Sequence, residues 1–225
     1  MPKRGKSEHK GKLIVIEGTD GSGKATQSKL LVEKLEKEGF KVKTIDFPQY
    51  GRPCAKKVED YLAGKFGKVE DVSPYDAARF YAEDRVDAAP MMKRWLEEGD
   101  IIIANRYQQS NKGHQASKIK DPGERKRFME WIDDLEYSQN MIPRPDAVIF
   151  LHVPAEIAQT LITKRGNRKD IHEADTSHLK DTEQAYMEIA KKERWIMIEC
   201  VKEGRIMQIG DIQRIVWEKS KDIFR

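Results

Sequence analysis

The chain holds only two cysteines, Cys54 and Cys200, far apart in its 225 residues. Neither stands in a CxxC pair or a metal-ligand spacing, which excludes a disulfide framework and a zinc site as organising devices. Such usage suits a reducing cytosol, and a cytoplasmic location is expected. Long apolar runs are missing too. The longest are LIVI from Leu13, IIIA from Ile101 and AVIFL from Ala147, whereas a membrane-spanning helix needs ~18 apolar residues or more. No membrane partner is expected. MPKRGKSEHKGK at the start lacks the apolar stretch of a signal peptide, so residues 1–12 read as a basic flexible tail. A large excess of one charge is also lacking: 42 Lys plus Arg against 38 Asp plus Glu leave a net +4. That surplus does not argue for a nucleic-acid partner, and the charged residues read as solvated helix faces.

What is there is enough apolar content, 38%, for one large core, so 13–225 reads as a single domain. Five apolar runs, at 13–16, 42–47, 101–104, 147–153 and 195–199, have the length and β-branching of buried parallel strands. Between them lie segments of helical pattern: 27–38, several between 58 and 98, then 122–139, 155–164 and 180–194. Alternation of this kind predicts an α/β fold, a doubly wound five-stranded parallel sheet with helices on both faces. Gly39 fits the residue just past the end of the first helix. The stretch RGNRKDIHEADTS, 165–177, is almost wholly polar and reads as either a disordered loop or a functional lid.

The run LIVIE leads into GTDGSGKAT, from Gly18 to Thr26, and then into a helical pattern. Strand, glycine loop and helix in this order make a phosphate-binding P-loop. Gly18, Gly21 and Gly23 let the backbone around Thr19, Asp20 and Ser22 curl so that its N–H groups point inward. Lys24 adds a positive charge within reach of the β- and γ-phosphates of a nucleotide. The usual pattern places Ser or Thr directly after the lysine, as a Mg²⁺ ligand. Here that position is Ala25, with Thr26 following, so no direct metal ligand is assigned.

Two more constellations surround this loop. NRY, from Asn105 to Tyr107, ends the third strand and turns Arg106 toward the cleft. YAEDR sets Tyr81 and Arg85 at i and i+4 on one helix face. By spacing alone the plainer reading is favoured, with Tyr81 a core aromatic and Arg85 a surface charge.

The motifs EGTDGSGKATQ, DFPQY, FYAEDR, NRYQQSNKGHQ, PRPDAVIFL and RGNRKDIHEAD stand in one order from about residue 11 to about residue 195. In order and spacing they resemble the thymidylate kinases, P-loop nucleoside monophosphate kinases with a lid segment. The resemblance implies transfer of the γ-phosphoryl group of ATP to dTMP, with Mg²⁺ accompanying the ATP, by a homodimer packed through helices. It implies that 18–26 hold ATP, and that Asp20 accepts from the acceptor's 3′-hydroxyl. Phe47 and Pro48 would line the acceptor pocket and Tyr81 would stack on thymine. Arg85 would bond the base edge, and Arg106 the acceptor phosphate. Ser110 and Asn111 would lie near the base, with His114 and Gln115 beside them. Arg165, Arg168 and Lys169 would be lid cations, joined by Asp170 and Glu173. With Gly21 after Asp20, the chain looks like the members that keep their extra catalytic cations, here Arg165 and Arg168, in the lid.

The chain departs from the family pattern at four places. Ala25 replaces the hydroxyl residue and Asn105 the aspartate of DRY. Tyr50 replaces an arginine for which Arg52 could substitute, and His114 replaces an aromatic residue. Three rivals stand beside this expectation: another P-loop nucleotide or deoxynucleoside kinase, a regulatory GTPase or ATPase switch that binds a partner protein, and a family member that binds nucleotide without activity. The switch lacks its signature, since NKGH from Asn111 has His114 where aspartate is required.

Overall fold

The computed structural model of the chain describes residues 10–165 and 176–224, and the side chains of these except at 164, 165 and 176–178. The chain runs β1 (Lys12–Glu17), α1 (Lys24–Lys37), β2 (Val42–Asp46), α2 (Lys56–Leu62), α3 (Pro74–Glu97), β3 (Ile101–Asn105), α4 (Gln108–Ala116), α5 (Pro122–Asp133), β4 (Ala147–His152), α6 (Ala155–Arg165), α7 (Thr176–Glu193), β5 (Ile196–Glu199), the short hairpin β6 (Val201–Lys202) and β7 (Arg205–Ile206), and α8 (Ile209–Ser220). β1 to β5 form one parallel sheet in the order β2-β3-β1-β4-β5. This is the expected doubly wound arrangement, with β1 at its centre.

The pleat of β1 explains its unbroken apolar run. Leu13 and Val15 join a core with Ala88, Ala89 and Met92 of α3 and Ile189 of α7 on one face of the sheet. Ile14 and Ile16 point the other way, onto Leu31 and Leu35 of α1 and Val216 of α8. A strand covered on both faces needs apolar residues at successive positions rather than alternating ones. β2 and β5 depart from the expectation of buried strands. Each is a sheet edge, and β2 buries only Ile45.

Several boundaries move. Gly11 and Lys12 belong to the fold rather than to a tail: Gly11 N donates to Leu96 O at 3.0 Å, and Lys12 pairs in register with Ile101. Phe47 lies past β2, and α1 begins at Lys24. Gly39 follows the end of α1 with φ of 91°, the left-handed conformation expected of a residue just past a helix. α7 begins at Thr176, so the polar stretch expected as a loop or lid is helical at both of its ends, and 166–175 lie outside the described residues. α4 and α8 go beyond the sequence expectation. α4 is QQSNKGHQA, without apolar periodicity, yet eight of its residues are buried. Gly113 lets it come that close to α7, since a Cβ there would lie 2.4 Å from Cε2 of Tyr186.

His152, at the end of β4, ties three elements together. Its Nδ1 faces Glu199 of β5 at 2.7 Å, and its Nε2 faces Glu183 of α7 at 3.0 Å. The other oxygen of Glu183 accepts from Ala155 N at 2.8 Å, at the start of α6. Burial works against the imidazolium, but Glu199 and then Glu183 outweigh it and raise the His152 pKa above 6.5. A histidine whose pKa is raised on folding contributes stability that is full below its unfolded value and lost as pH rises through its folded value. Thermal unfolding measured from about pH 6 to about pH 9 is therefore expected to show a loss of stability above the unfolded histidine value of ~6.5 that is absent in His152→Gln. Parallel curves for the two proteins would remove His152 as the cause.

Candidate active site

The P-loop follows the central strand directly. Gly18 and Gly21 have φ of 155° and 78°, and a Cβ on either would lie 2.8 Å from a backbone oxygen, Leu151 O and Ala158 O respectively. Only glycine combines that backbone with that proximity. The loop is thereby pressed between the end of β4 and α6. Lys24 is buried and donates from Nζ to Gly18 O at 3.0 Å and Thr19 O at 2.8 Å. Thr19 Oγ1 and Ser22 Oγ are buried without hydrogen-bond partners. Gly23 precedes α1 with no side-chain cap, which leaves the positive end of the helix to the loop. Ala25 and Thr26 are exposed on its first turn.

Beside the loop lies a cavity of about 500 Å³, including space open to solvent. It is lined by Asp20, Phe47, Pro48, Tyr81, Arg85, Arg106, Ser110, Asn111, His114 and Gln115, together with Tyr50, Leu62 and Tyr107. All the residues expected in an acceptor pocket are therefore brought to one space. Arg106 enters it from a strained turn, with φ of 65°, a region a non-glycine residue adopts only when its surroundings impose it. Its guanidinium bonds Asp20 and donates to Ser110 Oγ at 3.0 Å, while His114 Nε2 lies 3.4 Å away. Burial disfavours the Arg106 charge, but Asp20, with Tyr186 and Glu17, raises its pKa above the ordinary arginine value.

Arg85 corrects the plainer sequence reading. It is not a surface charge but is 2% exposed, the largest of the fully buried side chains. Nε donates to Glu136 at 2.8 Å, Nη2 pairs with the other oxygen of Glu136, and Nη1 reaches Tyr107 O at 3.4 Å. Burial lowers its pKa, and Glu136 more than restores it. Tyr81 is half-buried rather than a full core aromatic and meets Tyr61 edge-on, with ring centroids 6.3 Å apart. Phe47 packs on Tyr107 at 5.5 Å, and the peptide bond to Pro48 is cis. Asn111 Nδ2 donates to Ala78 O at 2.9 Å, while Asn111 Oδ1 and both polar atoms of the Gln115 amide are buried without partners.

Three carboxylates under the cavity escaped the sequence reading. Glu17 is fully buried and accepts from Tyr107 N at 3.0 Å, Ser110 Oγ at 2.9 Å and Tyr186 OH at 2.9 Å. Asp84 accepts from Gln49 N at 3.0 Å and so holds the Phe47–Pro48 turn against α3. Glu136 lies on a π-helical turn, Asp134–Gln139, that continues α5. Two of them had a readable signal: Glu17 closes an apolar strand, and Glu136 continues the buried i, i+4 row of Phe128 and Ile132.

Other expected residues are placed differently. Asn105 is drawn aside, donating from Nδ2 to Asp46 at 2.8 Å. Arg52 does not take the place of the missing arginine in the cavity; it bonds Gln49 at 2.7 Å and Asp87 at 3.3 Å, in an adjoining groove. The Arg165 side chain, and Arg168, Lys169, Asp170 and Glu173, lie outside the described residues. No group of three His, Cys, Asp or Glu among the described residues could cage a metal ion. The Ala25 side chain has no oxygen, and Asn105 offers only a neutral amide oxygen, buried without a partner, so neither position supplies a charged ligand for magnesium. No helix among the described residues is long and apolar enough to cross a membrane.

Comparison with known proteins agrees with this geometry. A thymidylate kinase of Mycobacterium tuberculosis H37Rv is 30% identical over 204 residues, 86% of this chain and 94% of that one. The human thymidylate kinase is 29% identical over 145 residues, 64% of this chain and 62% of that one. Among solved structures, a thymidylate kinase from Candida albicans superposes with a TM-score of 0.76 at 24% identity, covering 96% of this chain and 94% of that one. That likeness concerns the fold. A sequence model of the thymidylate kinase family matches residues 16–208, from within β1 almost to the start of α8, and the chain belongs to that family.

Proposed function

We propose that the protein transfers the γ-phosphoryl group of ATP to dTMP, giving dTDP. The observation that carries this reading is the single cavity that joins Arg106, beside the P-loop aspartate, to a set of base-sized polar and aromatic groups formed by Tyr81, Arg85, Asn111 and Gln115. Such a space suits a nucleotide with its phosphate toward the P-loop and its base at the far end. The P-loop backbone and Lys24 would hold the ATP phosphates. Arg106 would hold the acceptor phosphate in line with the γ-phosphorus, with Asp20 yielding part of its bond to Arg106 and turning to the sugar hydroxyl. Phosphoryl transfer then needs position and charge stabilisation rather than a protein base, because the attacking oxygen belongs to an ionised phosphate. Mg²⁺ would arrive with the nucleotide as MgATP, held by phosphates and water. Arg165, Arg168 and Lys169, with Asp170 and Glu173, are proposed as the lid on family grounds. The homodimer is likewise proposed on family grounds, and the cytoplasmic setting on the sparse, isolated cysteines Cys54 and Cys200.

A coupled assay of ADP formation with ATP and a panel of monophosphates tests the reading. dTMP is expected to be the fastest acceptor. Faster turnover of purine monophosphates or of unphosphorylated thymidine would sink it, and no turnover with any acceptor would favour a nucleotide-binding relative without activity.

Arg106→Ala is expected to lower turnover by roughly a hundredfold, ~2.7 kcal/mol of lost positioning, with ATP affinity nearly unchanged. Turnover equal to the parent's would remove Arg106 from the acceptor site.

The exposed Ala25 allows a third measurement. Ala25→Ser restores a hydroxyl beside Lys24 and is expected to lower the Mg²⁺ concentration at half-maximal rate and to raise turnover up to about tenfold, ~1.4 kcal/mol. An unchanged midpoint with a lower rate would mean that this chain arranges its metal–nucleotide complex in another way.

A further inference from the structure

Beneath the far end of the cavity, Glu136 touches two of the groups that would read the base. It is fully buried, and its carboxylate receives Arg85 through Nε and Nη2 and Asn111 through Nδ2, the last at 3.3 Å. We propose that Glu136 sets the hydrogen-bond polarity of this pair, so that the cavity selects thymine or uracil over cytosine. The proposal rests on the reading of the protein as a dTMP kinase and adds to it a positioning residue for base choice.

The argument is one of donors and acceptors. An ionised carboxylate only accepts. Two of the three nitrogens of Arg85 are committed to it, which fixes the guanidinium plane and leaves Nη1, with its long 3.4 Å contact to Tyr107 O, as the lightly held donor at the cavity. The amide of Asn111 is held by two acceptors, Ala78 O at 2.9 Å and Glu136 at 3.3 Å. Turning that amide over would set Oδ1 against both, so Oδ1 is fixed as the acceptor of the pair; it is buried without a partner, on a residue that lines the cavity. Gln115 differs: both ends of its amide are buried without partners, so nothing prescribes which way it faces. The pair therefore presents one donor beside one acceptor of prescribed polarity.

A 4-keto pyrimidine carries the complement, an acceptor at O4 and a donor at N3–H. Cytosine carries the reverse, a donor at N4 and an acceptor at N3. Seated in the same pose, cytosine would meet donor with donor and acceptor with acceptor, and mismatches of this kind in a buried site are rejected far more strongly than mismatches of size. The 5-methyl group plays no part, so dUMP should pass this test of polarity while dCMP fails it.

The experiment compares kcat/KM for dTMP, dUMP and dCMP in the parent, Glu136→Gln and Glu136→Asp, with thermal stability and ATP affinity recorded for each. Gln removes the charge and adds a donor of its own, so both neighbours are freed to turn; Asp stays acceptor-only. The dTMP-to-dCMP ratio is expected to fall at least about tenfold in Glu136→Gln, chiefly through KM for the acceptor, with ATP affinity unmoved, and to be largely kept in Glu136→Asp. An equal loss for all three acceptors in Glu136→Gln would make Glu136 a packing residue and overturn the proposal. If Glu136→Gln does not fold, Asn111→Ala carries the test: an unchanged ratio there overturns the proposal, and a fallen ratio supports it. Failure of the parent to phosphorylate dTMP would instead overturn the underlying reading, so the two failures are separable.

Discussion

A carboxylate removed from water must find its hydrogen bonds within the protein, and the site is organised around how Glu17 does so. Its three donors come from two pieces of chain: the Tyr107 backbone and the Ser110 hydroxyl at the start of α4, and the Tyr186 hydroxyl on α7. Glu17 itself is the last residue of β1, one position before the P-loop. The start of the loop, the turn that carries Arg106 and the helix that follows residues 166–175 are thus registered on one carboxylate. Burial, and then Glu17 itself, lifts the Tyr186 pKa well above 10, so its hydroxyl keeps its proton and remains a donor. Gly113 belongs to the same arrangement, because a side chain there would push Tyr186 off its partner. The left-handed backbone of Arg106, worth roughly 1–2 kcal/mol of strain, is held by the hydrogen bond at the next residue.

The cavity has an ion pair at each end, and the two differ in their access to water. The side chains of Arg106 and Asp20 are 16% and 20% exposed, whereas those of Arg85 and Glu136 are 2% and 0% exposed. A pair that water can reach can exchange partners, because an incoming anion replaces one set of charge-assisted bonds with another. A sealed pair cannot, since separating it would leave an uncompensated buried charge. On the proposed reading this division matches what each end has to do. The phosphate end must release Asp20 in part and take hold of a substrate oxygen. The base end must hold one arrangement of donors and acceptors while ligands come and go.

Much of the fold could be read from the amino acids because a strand covered on both faces has to be apolar without interruption. That is true of β1, β3 and β4, and the P-loop glycines mark the turn that follows β1. The edge strand β2 was legible as a strand but not as an edge, since KT within VKTID does not say which neighbour is missing. α4 was hidden for a different reason. Its buried face is made of Gln108, Asn111, His114 and Gln115, polar residues whose burial is set by α3, α5 and α7 and not by any local pattern. The same holds at Arg85. On its own helix it lies four residues from Tyr81, and its surface or core position depends on whether a carboxylate waits opposite. Glu136 is that carboxylate, 51 residues away, and no spacing rule joins them.

The P-loop shows what those joined pieces leave unfinished. Thr19 Oγ1 and Ser22 Oγ are shut away from water with nothing to bond, a penalty on the order of 1–3 kcal/mol for each such group. Lys24 is buried against the carbonyls of Gly18 and Thr19, so its charge already sits under the loop. The start of α1 has no side-chain cap. The two hydroxyls and the uncapped helix end are incomplete in the protein alone, and on the proposed reading a group rich in negatively charged acceptor oxygens would relieve them. Gly18 and Gly21 lie so close to Leu151 O and Ala158 O that a side chain at either position would force the loop to shift. On the proposed reading, phosphate would be held by the loop as a whole, its buried hydroxyls, its uncapped helix end and the charge of Lys24 beneath it, rather than by one side chain reaching for it. This is also why a chain with Ala25 in place of the usual hydroxyl residue keeps the rest of that machinery.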